Sequence, residues 1–273
     1  MTDAFKTFFE YVGIFFLVYL IGYASFLFLS VTVGSSTLYQ LKRRSRLKNE
    51  LQQAYYVPVS ILVPAYNEEV TIEESIRSLL ALEYKLYEIV VVDDGSKDHT
   101  AEVLRQAFHM RKVNQPIQRR LPCQPELVVY ESHAYKVPIT LICKKNGGKA
   151  DALNMGINAS RYPYFVCMDA DSMLQYDSLE KIVRPVLEEG SVVAVGGAVR
   201  PCNGANIKNG RVVSFRLPNR ILPCMQVLEY DRSFLAARIL LDKFNGSIII
   251  SGAFGLFKKS AVIDAGGYDT STM

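Results

Sequence analysis

The amino-acid sequence predicts an α/β protein with a mainly parallel sheet, preceded by one transmembrane helix. Two observations support this prediction. Short apolar runs alternate along the chain with longer amphipathic stretches, and the runs lack a polar face, which is typical of strands that helices cover on both sides. Ahead of these runs, no formally charged residue occurs between Tyr11 and Leu41.

The first element is the uncharged amino-terminal stretch, whose most apolar part is Tyr11–Gly34. As a helix it is about 36 Å long, enough to cross a hydrocarbon layer of about 30 Å. A cleaved signal peptide is the competing interpretation, because residues 34–36 are small. However, the run is longer than a signal-peptide core, and basic residues follow it rather than precede it. The pattern therefore favours an uncleaved anchor.

A basic cluster follows the apolar stretch: Lys42, Arg43, Arg44, Arg46 and Lys48. By the positive-inside rule it places the rest of the chain in the cytoplasm, with the cluster itself near lipid headgroups. From residue 49 onward, acidic and basic residues balance, so there is no broad basic surface for nucleic acid. We expect a cell-membrane protein with an anchor (1–41), a basic juxtamembrane linker (42–56) and a cytoplasmic domain (57–273), and no nucleic-acid partner.

The cytoplasmic part is long enough for one α/β domain with a sizeable core. The predicted strands are 57–63, 88–92, 139–143, 164–168, 191–199, 247–250 and 254–257. The predicted helices are 69–82, 100–110, 149–159, 178–187, 226–241 and 259–265. Residues 111–138 contain several prolines and are interpreted as an insertion or surface excursion. In the helix 226–241, an apolar stripe is expected to face the core: Leu228, Phe234, Leu235 and Ile239.

Five cysteines are scattered without a C-x-x-C pair, and the chain has only three histidines. This pattern indicates free thiols in a reducing compartment and disfavours a structural zinc site.

Three predicted strands end in polar motifs, and ligands of parallel α/β sheets bind outside the carboxyl ends of strands. The motifs are Pro64–Glu69, Asp93–Ser96 and Asp169–Asp171. Asp, Gly and Ser also form turns and helix caps, so the second motif alone has a purely structural interpretation. Its functional interpretation is a carboxylate that accepts a hydrogen bond from a nucleobase N–H or a ribose hydroxyl.

Asp169 and Asp171 are two residues apart, and in an extended chain such residues project to the same side. Two neighbouring carboxylates repel each other unless a cation lies beside them. Oxygen ligands suit Mg²⁺ or Mn²⁺, which also binds substrate phosphates. An Asp-rich turn is the alternative interpretation.

Residues 144–154 form a basic, glycine-containing approach to a predicted helix. Backbone N–H groups at the helix start, together with Lys149, attract a diphosphate, and a solvated basic turn is the alternative. The spacing is not that of a P-loop. No G-x-G-x-x-G follows the first strand, which disfavours a dinucleotide-dependent oxidoreductase.

Taken together, these motifs resemble the family 2 glycosyltransferases. The chain looks most like their membrane-embedded processive branch, which includes hyaluronan, cellulose, chitin and poly-N-acetylglucosamine synthases. The resemblance covers about residues 57–273 and rests on VPAYNEE (63–69), VDDGS (92–96), GGKADALN (147–154), DADS (169–172), GGAVR (196–200) and SGAFGLFKK (251–259). It implies a GT-A-type nucleotide-sugar-binding domain. It also implies inverting transfer from a UDP-sugar to an acceptor hydroxyl, such as the end of a growing polysaccharide.

The resemblance also implies roles for the residues near the nucleoside. Pro64, Tyr66 and Glu68 match the motif that packs around it, with Tyr66 near the base. Asp94 matches the residue that hydrogen-bonds uracil, and Asp93 supports it.

Further roles follow for the diphosphate and the acceptor. Lys149 faces the diphosphate, while Asp169 binds the nucleotide-sugar and, with Asp171, the divalent metal, Mg²⁺ or Mn²⁺. A weaker match places Ser251, Gly252 and Ala253 along the acceptor sugar.

The sequence departs from the family pattern at its carboxyl end. The family's catalytic base lies in an acidic motif shortly after the segment that matches Gly266–Asp269, and the sequence ends at Met273 before that motif. The Gln-x-x-Arg-Trp motif is also missing. We therefore expect the base beyond Met273, in a longer enzyme of which this is a fragment, and poor sugar transfer by these residues alone. A natural short form is the alternative explanation.

Two other functions remain open from the sequence. One is a non-processive transferase acting on a polyprenyl-phosphate or lipid acceptor, which shares the strand-end motifs. The other is a non-catalytic, membrane-tethered protein that binds a nucleotide-sugar. The sequence leaves the sugar and its linkage undetermined.

Overall fold

A computed structural model shows the chain as two compact units. The structure describes residues 2–48, 56–202, 204–208, 211–234, 238–243 and 250–271. The first unit comprises Met1–Ala54, Ala198–Asn203 and Leu217–Ile249. The second unit comprises Tyr55–Gly197, Gly204–Arg216 and Ile250–Met273.

The helices of the described residues are α1 Thr2–Lys48, α2 Ile72–Leu80, α3 Thr100–Ala107, α4 Lys149–Ala159, α5 Ser178–Glu188, α6 Ile221–Arg232, α7 Arg238–Lys243 and α8 Lys259–Asp264. The strands are β1 Val59–Ala65, β2 Tyr87–Asp93, β3 Arg111–Val113, β4 Glu126–Ser132, β5 Ile139–Lys144, β6 Tyr164–Met168, β7 Ala194–Gly196, β8 Ala205–Lys208, β9 Arg211–Phe215 and β10 Phe254–Lys258.

Helix α1 dominates the first unit. Its segment Phe5–Gln40 is long and apolar enough to cross a membrane. Hydroxyl groups inside this segment donate to backbone carbonyls one turn earlier, for example Ser25 Oγ to Ile21 O at 2.8 Å. Such bonds satisfy polar side chains without water. The helix continues through Lys48, so the first part of the predicted linker 42–56 is helical, and residues 49–55 lie outside the described residues.

The predicted helix 226–241 corresponds to two helices, α6 and α7, and the intervening residues 235–237 are not described. Helix α6 begins earlier than predicted because Pro223 is tolerated in a first helical turn. No residue of α6 is buried, and Leu228 is 58% exposed. The prediction that Leu228 packs in the core is therefore wrong, and Leu235 lies outside the described residues.

The second unit is built on an eight-stranded sheet with the order β3-β4-β5-β2-β1-β6-β10-β7. The four central strands β5, β2, β1 and β6 are parallel. In their register, Ala65 pairs with Asp93, and Asp93 pairs with Cys143. The predicted mainly parallel sheet is confirmed, and three strands that carry or precede polar motifs end at one edge of it.

Helix α4 packs on β1 and β2 in the main core. Every residue from Asp151 to Asn158 is buried, so this helix is covered on nearly all sides. The side-chain oxygen Oδ1 of its Asn158 accepts the N–H groups of Arg120 and Leu121 at 2.9 and 3.0 Å. The helix thereby fixes the segment before β4 to the core.

Residues 111–138 are not the surface excursion that their prolines suggested. They contain β3 and β4, which pair with each other and with β5 in antiparallel fashion and so extend the sheet. The prolines at 116, 122 and 125 lie in the connection between the two strands. The connection itself is anchored by the buried Leu121.

We expect Leu62→Ala to lower the free energy of unfolding by about 2–5 kcal/mol, because Leu62 is fully buried in β1 between two neighbouring strands. Leu127→Ala is the matched control. That side chain is 62% exposed, so the same substitution should cost less than about 0.5 kcal/mol. Urea unfolding followed by circular dichroism measures both. Equal losses at the two positions would contradict the assigned core.

Candidate functional site

A cleft of about 260 Å³ opens beside the carboxyl ends of β1, β2 and β6. Its lining residues are Pro64, Ala65, Tyr66, Glu68, Asp94, Lys149, Ala152, Asp169, Ala170 and Asp171. The structure thus brings together every residue that the sequence predicts for the nucleotide-sugar and the metal, except Asp93. Parallel strands in register explain this, because they deliver their carboxyl ends to one edge.

The segment after β1 is held in place by hydrogen bonds to the segment after β2. Asn67, whose φ of 57° lies in the left-handed region that Asn tolerates, donates its N–H to Ser96 Oγ at 3.0 Å. In return, the N–H of Lys97 donates to Asn67 Oδ1 at 2.8 Å. Glu68 N–H donates to Thr100 Oγ1 at 2.8 Å. These bonds fix the loop that presents Tyr66, which is 43% exposed, to the cleft.

Asp93 and Asp94 are both buried but have different surroundings. Asp93 Oδ1 accepts the N–H of Ser96 at 3.1 Å and closes the turn after β2. Asp94 lines the cleft, and its Oδ2 accepts the N–H of Gly148 at 2.7 Å. Its Oδ1 accepts the N–H of Gly147 at 3.1 Å and the ammonium of Lys144.

Lys144 was not singled out in the sequence, where it reads as part of a solvated basic segment. It is fully buried, and its ammonium also contacts Asp151 Oδ1 at 2.6 Å and the carbonyl of Lys145 at 2.8 Å. One signal could have found it. Lys144 directly follows the apolar run 139–143, and Asp94 lies just after the run 88–92, so two neighbouring parallel strands that end together place the two side by side.

Gly95 allows the loops after β2 and β5 to meet backbone to backbone, and Gly147 leaves room for the side chain of Asp151. Gly95 has a φ of 72°, and a Cβ there would lie 2.8 Å from the backbone nitrogen of Asn146. A Cβ on Gly147 would lie 2.6 Å from Asp151 Cγ. A side chain at position 95 would push the two loops apart, and one at position 147 would collide with the Asp151 side chain that contacts Lys144.

Lys149 is the first residue of α4 and contacts Asp169 Oδ1 through its ammonium. Both side chains are partly exposed in the cleft. The start of an α-helix attracts anions because its first N–H groups lack partners within the helix. Lys149 and the start of α4 therefore give this wall of the cleft a positive character.

Asp169 and Asp171 both line the cleft but not in the predicted extended geometry. Strand β6 ends at Met168, and the chain then turns, with Ser172 N–H donating to Asp169 O at 3.0 Å. Within the described part of the chain, no group of three or more His, Cys, Asp and Glu residues is arranged to hold a metal. Two carboxylates fit Mg²⁺ or Mn²⁺, since these ions take one or two carboxylates together with substrate phosphates.

Ser251, Gly252 and Ala253 are not among the residues that line the cleft. They lead into β10, whose first residue Phe254 pairs with Met168 at the end of β6. The N–H of Phe254 donates to Ser251 O at 3.3 Å, which makes a turn of this segment. The register therefore places the three residues next to the strand end that carries Asp169.

The thiols of Cys143, which is half-buried, and Cys167, which is buried, lie on strands that lead to the site. Burial raises the pKa of Cys143 to about 12, and the charge of Asp93 adds to this effect. Burial also raises the pKa of Cys167 to about 12, although a hydrogen bond with Tyr268 opposes it. The pKa of the buried Tyr268 hydroxyl is raised as well, chiefly by burial. All five cysteines are free, as the sequence predicted.

A family model described as "Glycosyl transferase family 2" matches residues 60–121 and 128–264, which span the cleft and most of the sheet. The chain belongs to glycosyl transferase family 2. This confirms the resemblance that the strand-end motifs indicated.

Curated relatives of this family 2 chain include poly-beta-1,6-N-acetyl-D-glucosamine synthases. The protein from Staphylococcus epidermidis is 31% identical over 258 residues, and the protein from Staphylococcus aureus strain COL is 29% identical over 256 residues. Each match covers 92% of this chain and 52% of the relative. The chain therefore spans about half the length of the curated relatives it matches.

A solved mannosyltransferase from Pyrobaculum calidifontis, in complex with GDP-Man and Mn²⁺, shares the fold. It is 21% identical, with a TM-score of 0.53, and the match covers 90% of this chain and 59% of that one. The predicted GT-A-type α/β architecture is confirmed.

We expect a thiolate-directed alkylating reagent at pH 7.5 to modify Cys202 in the folded chain well before Cys143 and Cys167. Cys202 is exposed, whereas a pKa near 12 leaves Cys143 and Cys167 almost entirely as thiols. Mass spectrometry of proteolytic peptides over a labelling time course measures the order. These two thiols should react once urea unfolds the chain. Rapid labelling of Cys167 in the folded state would show that this strand opens.

Proposed function

We propose that this chain carries the donor-binding domain of an inverting glycosyltransferase, which moves a sugar from a UDP-sugar to an acceptor hydroxyl. The observation that carries the proposal is the cleft that gathers Asp94, Lys149, Asp169 and Asp171 at the carboxyl edge of a parallel sheet. Membership of family 2 supports the reaction class. The names of the curated relatives favour UDP-N-acetylglucosamine as the donor and a growing polysaccharide as the acceptor.

The uracil end of the donor is assigned to Tyr66 and Asp94, with Pro64 and Glu68 packing beside the nucleoside. Tyr66 is exposed enough for its ring to contact a base. A carboxylate has about four acceptor sites, and Asp94 uses them only partly for Lys144, Gly147 and Gly148. A remaining site on Asp94 is the complement of the uracil N–H. Asp93 supports this arrangement by closing the turn after β2.

The diphosphate end is assigned to Lys149 and the two carboxylates of the turn after β6. Lys149 and the start of α4 attract the phosphates. Asp169 and Asp171 would hold Mg²⁺ or Mn²⁺. When bound, such an ion neutralises charge on the departing nucleotide. Lys149 acts in the same direction, because its ammonium favours the negative charge that accumulates on the leaving phosphate.

The acceptor side is assigned to Ser251, Gly252 and Ala253, which lie next to the end of β6 in the sheet. An acceptor hydroxyl oxygen forms a bond to the anomeric carbon as the bond from that carbon to the phosphate oxygen breaks. Attack from the face opposite the phosphate inverts the linkage. The hydroxyl proton passes to a carboxylate base, and we assign no residue of the described part of the chain to that role.

The same proposal places the domain at a cell membrane. The segment Phe5–Gln40 is long and apolar enough to span, and the basic residues after it favour the cytoplasmic side and contact with anionic lipid headgroups. The proposed organisation is an anchor (1–41), a basic juxtamembrane segment (42–56) and a cytoplasmic catalytic domain (57–273). Cytoplasmic placement would expose the cleft to soluble nucleotide-sugars.

We expect the detergent-solubilised chain to bind UDP more tightly than GDP, and more tightly with Mn²⁺ than without it. Asp94→Asn and Asp171→Asn should each weaken UDP binding about tenfold or more, since each removes a charged contact worth about 1.5–3 kcal/mol. Asp264→Asn is the matched control, because Asp264 is exposed and does not line the cleft. Isothermal titration calorimetry measures all four proteins.

Failure of the folded wild-type chain to bind UDP in the presence of Mn²⁺ would overturn the proposed function. Equal weakening by Asp264→Asn would remove the assignment of the effect to the cleft.

A further inference from the structure

Lys144 is a buried cation enclosed by the residues that build the cleft. It ends β5, and its side chain has no exposure to solvent. Its ammonium contacts Asp94 Oδ1, Asp151 Oδ1 and the carbonyl oxygen of Lys145. An ammonium has three N–H donors, so these three acceptors satisfy it completely.

The network contains two buried carboxylates for one ammonium. The side chains of Asp94 and Asp151 are 5% and 6% exposed. Backbone N–H groups also donate to the two carboxylates: those of Gly147 and Gly148 to Asp94, and that of Gln124 to Asp151 at 2.9 Å. Buried ion pairs often stabilise a fold no better than apolar residues of similar volume. Stability alone therefore gives little reason for a lysine at this position.

The network instead connects the two ends of the proposed donor site. Asp94 lies at the proposed uracil end and Lys149 at the diphosphate end, and both line the cleft. The chain from Lys144 to Lys149 runs between them, held at one end by the ammonium of Lys144 and in its middle by the N–H groups of Gly147 and Gly148 on Asp94. Asp151, in the first turn of α4, holds Lys144 from the other side.

The contacts also leave the two carboxylate oxygens of Asp94 unequally occupied as hydrogen-bond acceptors. Oδ1 accepts from Lys144 and from Gly147, which uses its two acceptor sites. Oδ2 has one short bond, from Gly148, and a longer one from Gly147 at 3.3 Å. Oδ2 is thus the less fully engaged oxygen, because its second bond is long and comes from an N–H that it shares with Oδ1.

We propose that Lys144 is a positioning residue for the nucleotide: it sets Asp94 and Lys149 in place together, so that the two ends of the donor site are arranged before UDP binds. This inference rests on the proposed function, because it needs the cleft to bind a nucleoside diphosphate. Prearrangement improves affinity because less ordering is left to the binding step.

The decisive variant is Lys144→Met, which removes the ammonium and keeps an unbranched side chain of similar size. Lys145→Met is the matched control, because it makes the same change one residue along, at an exposed position. Calorimetry with UDP and Mn²⁺ gives both the dissociation constant and the number of binding sites per chain. Inorganic pyrophosphate with Mn²⁺ is the second probe, since it reports the diphosphate end without a base.

We expect Lys144→Met to raise the dissociation constant for UDP about tenfold or more, with the number of sites unchanged. This follows from the loss of contacts between charged groups, each worth about 1.5–3 kcal/mol. The dissociation constant for pyrophosphate should also rise, although Lys144 does not line the cleft. Lys145→Met should change either constant less than twofold. A merely structural lysine gives the opposite pattern, namely fewer sites with unchanged constants, and that result overturns the proposal.

A second variant tests the same proposal if Lys144→Met does not fold. Asp151→Asn leaves Lys144 on Asp94 but removes the charge that holds Lys144 from the α4 side, so the UDP dissociation constant should rise about threefold or more. An unchanged constant overturns the positioning role. If the wild-type chain does not bind UDP, the proposed function is overturned and this inference with it. If wild type and Lys144→Met bind UDP equally well, only this inference is overturned.

Discussion

The buried contact between Lys144 and Asp94 is the interaction on which the arrangement of the cleft depends. The ends of β2 and β5 carry it, and these strands are paired in register up to Asp93 and Cys143. Away from water such an attraction is strong, but so is the cost of leaving either charge alone. Neither charge is left alone. Lys144 also contacts Asp151, and Asp94 also accepts the N–H groups of Gly147 and Gly148. The loop between β5 and α4 therefore has little freedom to take another course.

Close backbone approach is a second consequence of that contact. The loops after β2 and β5 can meet this closely because Gly95 carries no side chain, and the absence of a side chain on Gly147 leaves room for Asp151. The loop after β1 joins them through the reciprocal bonds between Asn67 and the segment 96–97. Three loops that are far apart in sequence thus support one another, while the rigid strands below set their spacing. Precision at the cleft comes from this mutual support rather than from any single motif.

The sequence predicted the features that follow from the order of apolar runs along the chain. It did not predict the features that follow from which segments pair in the folded sheet. Polar residues that follow apolar runs predicted the cleft, because parallel strands end at a common edge. Every residue that the sequence assigned to the nucleotide-sugar or the metal lines it, except Asp93. By contrast, β3 and β4 were missed because β3 has only three residues and prolines lie in the connection between the two strands. The end of β6 at Met168 was predicted, but the extended geometry expected for Asp169 and Asp171 was not found, because the chain turns there, as the alternative interpretation of an Asp-rich turn had it. Lys144 looked like a surface lysine because its two carboxylate partners lie 50 and 7 residues away.

The charge of the cleft argues for a cation alongside any diphosphate. Apart from the balanced contacts of Asp94, its ionisable lining residues are one lysine, Lys149, and three acids: Glu68, Asp169 and Asp171. Lys149 already contacts Asp169, which leaves an excess of negative charge where phosphates are proposed to sit. Like charges about 4 Å apart repel by about 4 kcal/mol at the effective dielectric of a protein surface. A bare diphosphate would meet that repulsion, whereas one that arrives with a divalent ion turns the same carboxylates into ligands. On this argument the acidic turn after β6 would discriminate against the free nucleotide and favour its metal complex, which adds selection to the binding role proposed for the two aspartates.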